Sequence, residues 1–164
     1  MNDFYVEQIV KRKATSSDRI IGLVLILATV GAIAETFMKS YLFLIAVVFL
    51  LGLSAYHFIN VMAEYEYFYM NGTLRIDKIY VKRFRECVFE IQMNDLEVLA
   101  PEGAAEVQTF RSVRSRKYIS KEDKQRYKLV YTQFGKKRSI IFEPNEMLLT
   151  ELKKLTPKKV FRKR

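Results

Sequence analysis

IIGLVLILATVGAIA (residues 20–34) and YLFLIAVVFLLGLSAYHFINVMA (residues 41–63) are uncharged apolar stretches separated by only six residues. The second has 23 residues, enough at about 1.5 Å per residue to cross the roughly 30 Å of hydrocarbon in a bilayer. The first has 15 residues, or 19 when it is extended to Met38, so it crosses only if Glu35 and Lys39 lie near the interface. The sequence therefore predicts a transmembrane helical hairpin at residues 20–63.

Two other interpretations of the apolar stretches are less favoured. A helix of 23 residues that is apolar on every face would need a large soluble protein around it, and the rest of this chain cannot cover it. A cleaved signal peptide is suggested by the basic residues 11–13 and by Ala32 and Ala34, which have the spacing of a cleavage site. Its leading segment would be unusually long and partly acidic, however, and another apolar stretch begins seven residues after the cut.

The distribution of basic residues predicts the orientation. The chain has 28 Lys+Arg and 18 Asp+Glu, and residues 64–164 carry +9 of the net charge of +10. Basic residues precede the first apolar stretch and follow the second, whereas the connection has only Lys39 against Glu35. The positive-inside rule then predicts a multi-pass protein of the cell membrane with both termini cytoplasmic. The single cysteine, Cys87, fits a reducing compartment because it has no partner for an internal disulfide.

A period of two begins where the apolar stretches end. Residues 64–81 read EYEYFYMNGTLRIDKIYV, and Asn71-Gly72 is a strong β-hairpin signal because both residues of a tight hairpin turn need positive φ. A two-residue turn fixes the partners across the hairpin as Met70 with Thr73, Tyr69 with Leu74, and Tyr67 with Ile76. The apolar side chains then share one face, and the change of apolar parity that follows predicts a bulge at Asp77-Lys78.

Further strands and a helix follow this hairpin. Strands are predicted at residues 85–91, 96–100, 127–133 and 138–142, with a turn at 134–137, while residues 101–126 are polar and basic without a clear period. A C-terminal helix begins at Pro144 or Asn145 and carries an inward stripe made of Met147, Leu148, Leu152 and Leu155. The tail at 158–164 has five basic residues and no acidic one, so we expect it to be disordered.

A family resemblance rests on the N-terminal MNDFYVEQ, the two apolar stretches, the tyrosine-rich strand and the Asn71-Gly72 turn. Together they resemble a family of small two-span membrane proteins of Gram-positive bacteria with a bacterial pleckstrin-homology-like (PH-like) cytoplasmic domain. The resemblance implies a bent sheet or partial barrel that the C-terminal helix closes at one end. The predicted fold is a cytoplasmic segment at 1–19, the transmembrane hairpin at 20–63, an α+β, mainly antiparallel, PH-like domain at 64–157, and the basic tail at 158–164.

The sequence offers no set of residues for catalysis. The one histidine and the one cysteine lie in different regions, so a Cys-His pair and a zinc site are both excluded within this chain. The six glycines form no phosphate-binding loop. Glu64 and Glu66 alternate along a strand, a pattern typical of a solvated face. We therefore expect a protein that is not an enzyme and that needs neither a cofactor nor a metal.

Polar and small residues within the apolar stretches have two interpretations. His57 lies between Ser54 and Asn60 on one stripe of the second stretch, and polar groups within a membrane are candidates for function. A single ionisable group makes a poor proton relay, so we favour helix–helix packing. The first stretch offers small residues for close approach of the helices, namely Ala28, Gly31 and Ala32.

A basic cluster lies in the segment before the second predicted hairpin. Its candidate contact residues are Arg111, Arg114, Arg116, Lys117, Lys121 and Lys124. They are either an ordinary solvated loop or a contact for anionic lipid or for a protein partner. Nucleic acid is a remote alternative because few aromatic residues are interleaved with the charges.

The expected function is a noncatalytic, membrane-anchored binding or scaffolding module at the cytoplasmic face. Its expected partners are membrane lipids, anionic ones included, with a membrane protein or self-association as further candidates. An accessory or regulatory subunit of a transporter or membrane enzyme is the alternative, in which the hairpin binds the partner complex. The sequence names neither the ligand nor the partner.

Overall fold

The computed structural model describes residues 5–38, 43–120, 122 and 124–162. The chain forms two compact units, a helical unit at Lys13–Ala63 and a strand unit that combines Met1–Arg12 with Glu64–Arg164. The strand unit is therefore discontinuous in sequence, because the helical unit is inserted after its first strand.

Two long helices form the helical unit. α1 spans Ser16–Met38 and α2 spans Phe43–Val61, and both are long and apolar enough to cross a membrane. α1 begins before the first apolar stretch, where Asp18 Oδ2 accepts a hydrogen bond from Thr15 N at 2.9 Å. It continues beyond that stretch, where the Thr36 hydroxyl donates to a backbone carbonyl one turn earlier. Its 23 residues correspond to about 35 Å, so α1 is longer than the first apolar stretch alone predicts.

The first sheet of the strand unit is an antiparallel meander. Its strands, adjacent in space in chain order, are β1 (Tyr5–Lys11), β2 (Glu64–Met70), β3 (Thr73–Tyr80) and β4 (Phe84–Gln92). The expectation that residues 1–19 form a separate segment is wrong for β1, which pairs with β2 along its whole length and buries Val6 and Val10. The partner of β1 lies beyond the helical unit, so a local pattern cannot identify this pairing.

The hairpin register predicted from the Asn71-Gly72 turn is confirmed. The observed partners are Met70 with Thr73, Tyr69 with Leu74, and Tyr67 with Ile76. Asn71 and Gly72 have φ of +50° and +80°, as a two-residue hairpin turn requires. The bulge lies one strand further along than predicted. β2 and β3 pair without interruption, while β4 inserts Val88 between the partners of Ile76 and Asp77.

The second sheet contains strands from the rest of the unit. They are β5 (Leu96–Pro101), β6 (Ser115–Tyr118), β7 (Tyr127–Gln133) and β8 (Lys136–Phe142), in the spatial order β5-β7-β8-β6, with β6 parallel to β8. A short helix, α3 (Ala105–Gln108), lies between β5 and β6 in the chain. The predicted turn at 134–137 is reduced to Phe134-Gly135, so Lys136 and Lys137 are the first residues of β8.

The two sheets and a C-terminal helix, α4 (Glu146–Leu155), enclose one apolar core. Side chains with no more than 1% exposure include Tyr67, Leu74, Ile76, Leu129, Ile140, Phe142, Leu148, Leu149 and Leu152. Asn145 caps α4 by accepting a hydrogen bond from Leu148 N at 2.8 Å. The predicted inward stripe is wrong at Met147 and Leu155, which are 64% and 51% exposed, and Leu149 is buried instead.

The basic tail is ordered over its described residues, contrary to the expected disorder. Val160 is 2% exposed and forms a β-bridge with Leu99, and Lys159 Nζ donates to the backbone oxygen of Leu96. The burial of Val160 and two backbone hydrogen bonds, from Leu99 N to Lys159 O and from Phe161 N to Leu99 O, hold a tail that composition alone marks as charged. Lys163 and Arg164 lie outside the described residues.

The fold class is confirmed, with two apolar helices, mainly antiparallel sheets and a C-terminal helix.

Candidate functional site

A basic pocket of about 430 Å³ lies where the connection between β5 and β6 crosses the second sheet. The residues that line it are Glu102, Gly103, Val107, Gln108, Arg111, Val113, Arg114, Ser115, Lys117, Lys128 and Ile141. Four of them are Lys or Arg and one is acidic, so positive charge dominates this pocket.

A small apolar cluster holds the connection against the sheet. Val107 of α3 is 3% exposed and packs with Val98, Ala100 and Val130, and Phe110 lies against the same cluster. The cluster is separate from the main core, because these side chains extend from the opposite face of the second sheet. Residues 111–117 show no regular spacing of apolar residues, and this cluster holds them against the face of the second sheet that is opposite the main core.

Lys128 is the buried charge of the basic pocket. It lies on β7, is 8% exposed, and its Nζ donates to the backbone oxygen of Phe110 at 2.7 Å. Burial lowers the pKa of the Lys128 ammonium, because desolvation disfavours the charged form. An ammonium has three hydrogen atoms to donate, so this side chain has capacity for an anionic acceptor. The sequence signal for it was its position within a strand whose neighbouring residues are apolar.

The basic pocket brings together only part of the predicted basic cluster. Three of the six candidate contact residues line it, namely Arg111, Arg114 and Lys117. Arg116 is exposed on the other face of β6, because side chains alternate along a strand. Lys124 forms an ion pair with Glu122 at 2.8 Å, and this hydrogen bond raises the pKa of Lys124. Lys121 lies outside the described residues.

The predicted packing residues of the helical unit are divided between contact and exposed positions. The less exposed positions of the two helices include Ala32, Ser54, His57 and Asn60, whereas Ala28 and Gly31 are exposed. A Cβ on Gly31 would meet no atom within 4 Å, so the close approach predicted there is wrong.

The close approach of the two helices occurs at Gly22 instead. A Cβ on Gly22 would lie 3.4 Å from the Phe58 ring, which is van der Waals contact, so the two helices are adjacent at this position. Next to it, His57 Nε2 is 2.9 Å from the backbone oxygen of Asp18, so His57 joins the end of α2 to the start of α1 by a hydrogen bond.

Two acidic residues of the first sheet, Glu66 and Asp77, form ion pairs. Glu66, expected on a solvated face, is 3% exposed, and burial raises the pKa of its carboxyl group. Arg85 Nη1 lies 3.1 Å from Glu66 Oε2, and Arg75 Nε lies 2.7 Å from Asp77 Oδ1. These cross-strand and same-strand contacts account for the charges as structural ion pairs.

Two mainly antiparallel sheets and a closing C-terminal helix define a PH-like domain, in a chain that also has two helices long and apolar enough to cross a membrane. PH-like domains are generally noncatalytic binding modules. The family model described as Bacterial PH-like domain (DUF6106) matches residues 2–162, and the chain belongs to this family. No curated protein and no solved structure matches the chain.

Proposed function

We propose that the protein is a membrane-anchored binding module of the cytoplasmic face whose basic pocket binds the phosphate group of an anionic lipid. The observation that carries the proposal is the convergence of Arg111, Arg114, Lys117 and buried Lys128 on one pocket. Its location in a cell membrane of a Gram-positive bacterium, with both termini cytoplasmic, is part of the proposal.

Phosphate suits this pocket for chemical reasons. The guanidinium groups of Arg111 and Arg114 present forked donors that match the oxygens of a phosphate, and Lys117 adds a point charge. Each basic residue near an anionic membrane surface contributes about 1 kcal/mol, and a partly closed pocket screens the charges less than open solvent does. Glu102 is the single opposing charge in the pocket lining.

The connectivity of the strand unit favours a lipid over a soluble phosphate compound. Tyr118, next to Lys117, packs edge-on against Tyr65 with 5.6 Å between ring centroids. Tyr65 is the second residue of β2, which begins three residues after the end of α2. The strand that carries Lys117 is therefore close to the point where the chain arrives from the helical unit.

Charge reversal in the basic pocket is expected to remove a stabilisation that depends on anionic lipid. The full chain is reconstituted in nanodiscs of phosphatidylcholine alone or mixed with phosphatidylglycerol. A ligand that binds only the folded state at 100 times its dissociation constant stabilises by about 2.7 kcal/mol, so anionic discs should raise the melting temperature and slow hydrogen exchange in residues 105–118. The double variant Arg114→Glu/Lys117→Glu should lose most of both effects, and added salt should weaken them in the unmodified chain.

The matched control for this experiment is Lys153→Glu/Lys158→Glu. Both lysines are exposed, and neither forms an ion pair among the described residues. Lys136 and Lys137 are less suitable because Lys137 Nζ lies 4.9 Å from the ring centroid of Phe110, whose carbonyl binds Lys128. Equal losses in both double variants would show that only net charge matters, and no effect of lipid composition would contradict lipid binding. A stoichiometric integral-membrane partner in a crosslinking pull-down would support the accessory-subunit alternative instead.

The topology has its own test in intact cells. A reporter fused after Arg164 should behave as cytoplasmic, because basic residues flank the two helices on the side of both termini. A cysteine at Ser40, in a Cys87→Ser background, should react with an impermeant maleimide from outside. Ser40 lies outside the described residues, so its expected location on the outer side of the membrane is predicted from the sequence alone. Reaction only after permeabilisation would contradict the orientation.

A further inference from the structure

The turn between β3 and β4 exposes apolar side chains among basic ones. Val81, Lys82 and Arg83 connect Tyr80 to its partner Phe84, and Arg83 N donates to Tyr80 O at 3.0 Å. Val81 is 51% exposed and Phe84 is 71% exposed. Within the described part of the chain, neither Lys82 nor Arg83 forms an ion pair. The turn thus has the composition of surfaces that enter the membrane interface, where apolar groups are buried and basic groups face lipid phosphates.

The backbone of this turn is strained. Val81 and Lys82 have φ of +50° and +56°, and a β-branched residue in this region is an outlier. Two other hairpin turns, Asn71-Gly72 and Phe134-Gly135, have the same pair of positive φ angles, and both have glycine second. Asn-Gly would relax the backbone at the β3–β4 turn. Strain that a simple substitution would relieve indicates a use for the side chains that cause it.

The turn lies at the end of the first sheet from which both connections to the helical unit depart. Cα partners place Lys11, Glu64, Ile79 and Arg85 in one row across the four strands. β1 ends at Lys11 before α1 begins, and β2 starts at Glu64 after α2 ends. Chain length limits the span from Val61 to Glu64 to about 11 Å, and Val81 is two residues beyond Ile79.

We propose that the Val81–Phe84 turn enters the interface of the same bilayer that α1 and α2 cross and gives the PH-like domain a second contact with lipid. Val81 and Phe84 supply apolar surface, while Lys82 and Arg83 face anionic headgroups. The inference rests on the membrane anchoring proposed above but does not require the basic pocket to bind a lipid.

The test uses the full chain in vesicles of phosphatidylcholine and phosphatidylglycerol, in a Cys87→Ser background. A polarity-sensitive fluorophore is attached at Val81→Cys and, as the matched control, at Phe134→Cys, since Phe134 is 91% exposed in a hairpin turn of similar φ. The emission at position 81 should shift to the blue and be quenched by lipids with headgroup nitroxides. The emission at position 134 should remain as in water.

A second measurement separates this contact from general stability. With the fluorophore at Phe84→Cys, the change Val81→Asn/Lys82→Gly should abolish the blue shift while the melting temperature rises. Retention of the blue shift, emission as in water at position 81, or an equal response at position 134 would overturn the proposal. A blue shift without quenching by nitroxide lipids would overturn it in favour of a protein contact. Failure of the chain to float with vesicles would overturn the anchoring as well.

Discussion

Val10→Asp is expected to unfold the strand unit, whereas Ile9→Asp on the same strand is expected to be tolerated. Val10 is 3% exposed and faces the core between the sheets, so the variant buries a carboxyl group without a partner. A buried charge without a partner is one of the few causes of losses above about 4 kcal/mol, and such a loss approaches the whole stability of many small domains. Ile9 is 52% exposed on the opposite face of β1. Urea unfolding of the full chain in nanodiscs, followed by circular dichroism, measures both variants.

Similar unfolding of the two variants would show that β1 does not pack on the core as described.

The pairing of β1 with β2 also has a practical consequence for shortened chains. A fragment that begins at Glu64 lacks β1 and exposes the edge of β2, so it should unfold less cooperatively than the full chain. The fragment also lacks Gln8 of β1, whose side chain donates to Glu143 O at 2.8 Å and accepts from Asn145 N at 2.7 Å.

Tyr67→Phe is the second substitution with a large expected effect. Tyr67 is fully buried, and its hydroxyl donates to the backbone oxygen of Tyr118 and accepts from Glu143 N at 3.2 Å. Burial raises the pKa of this phenol above its usual value, so it remains a donor at physiological pH. Its removal leaves two buried backbone groups without this partner, at a cost of about 1–3 kcal/mol for each. Chemical unfolding should show that loss with little change in the dependence on denaturant.

Tyr69→Phe is the matched control for this prediction. Tyr69 belongs to the same strand and core and is 5% exposed, but its hydroxyl forms no hydrogen bond within the described part of the chain. Its stability should change by much less than that of Tyr67→Phe. If both variants lose the same stability, the two hydrogen bonds of the Tyr67 hydroxyl do not contribute to holding the second sheet against the first.

Amino-acid composition predicted only part of the candidate site. The basic residues of the segment before β7 were identifiable in the sequence, but their division into pocket and solvent positions was not. Arg116 and Lys117 are neighbours in the chain and lie on opposite faces of β6. β6 itself has no local signal, because its four residues are fixed by parallel pairing with β8 and by contacts of Tyr118 with distant strands.

The sequence by itself determined the two apolar helices, the Asn71-Gly72 hairpin with its register, and the C-terminal helix. Each of these depends on interactions between residues close in the chain or on the solvent around one segment, so periodicity, turn chemistry and helix length are sufficient. Tertiary structure decided the placement of β1, the order of the tail around Val160, and the burial of Lys128. These features depend on partners that folding brings together from distant positions, and only the closed core determines which faces lose contact with water.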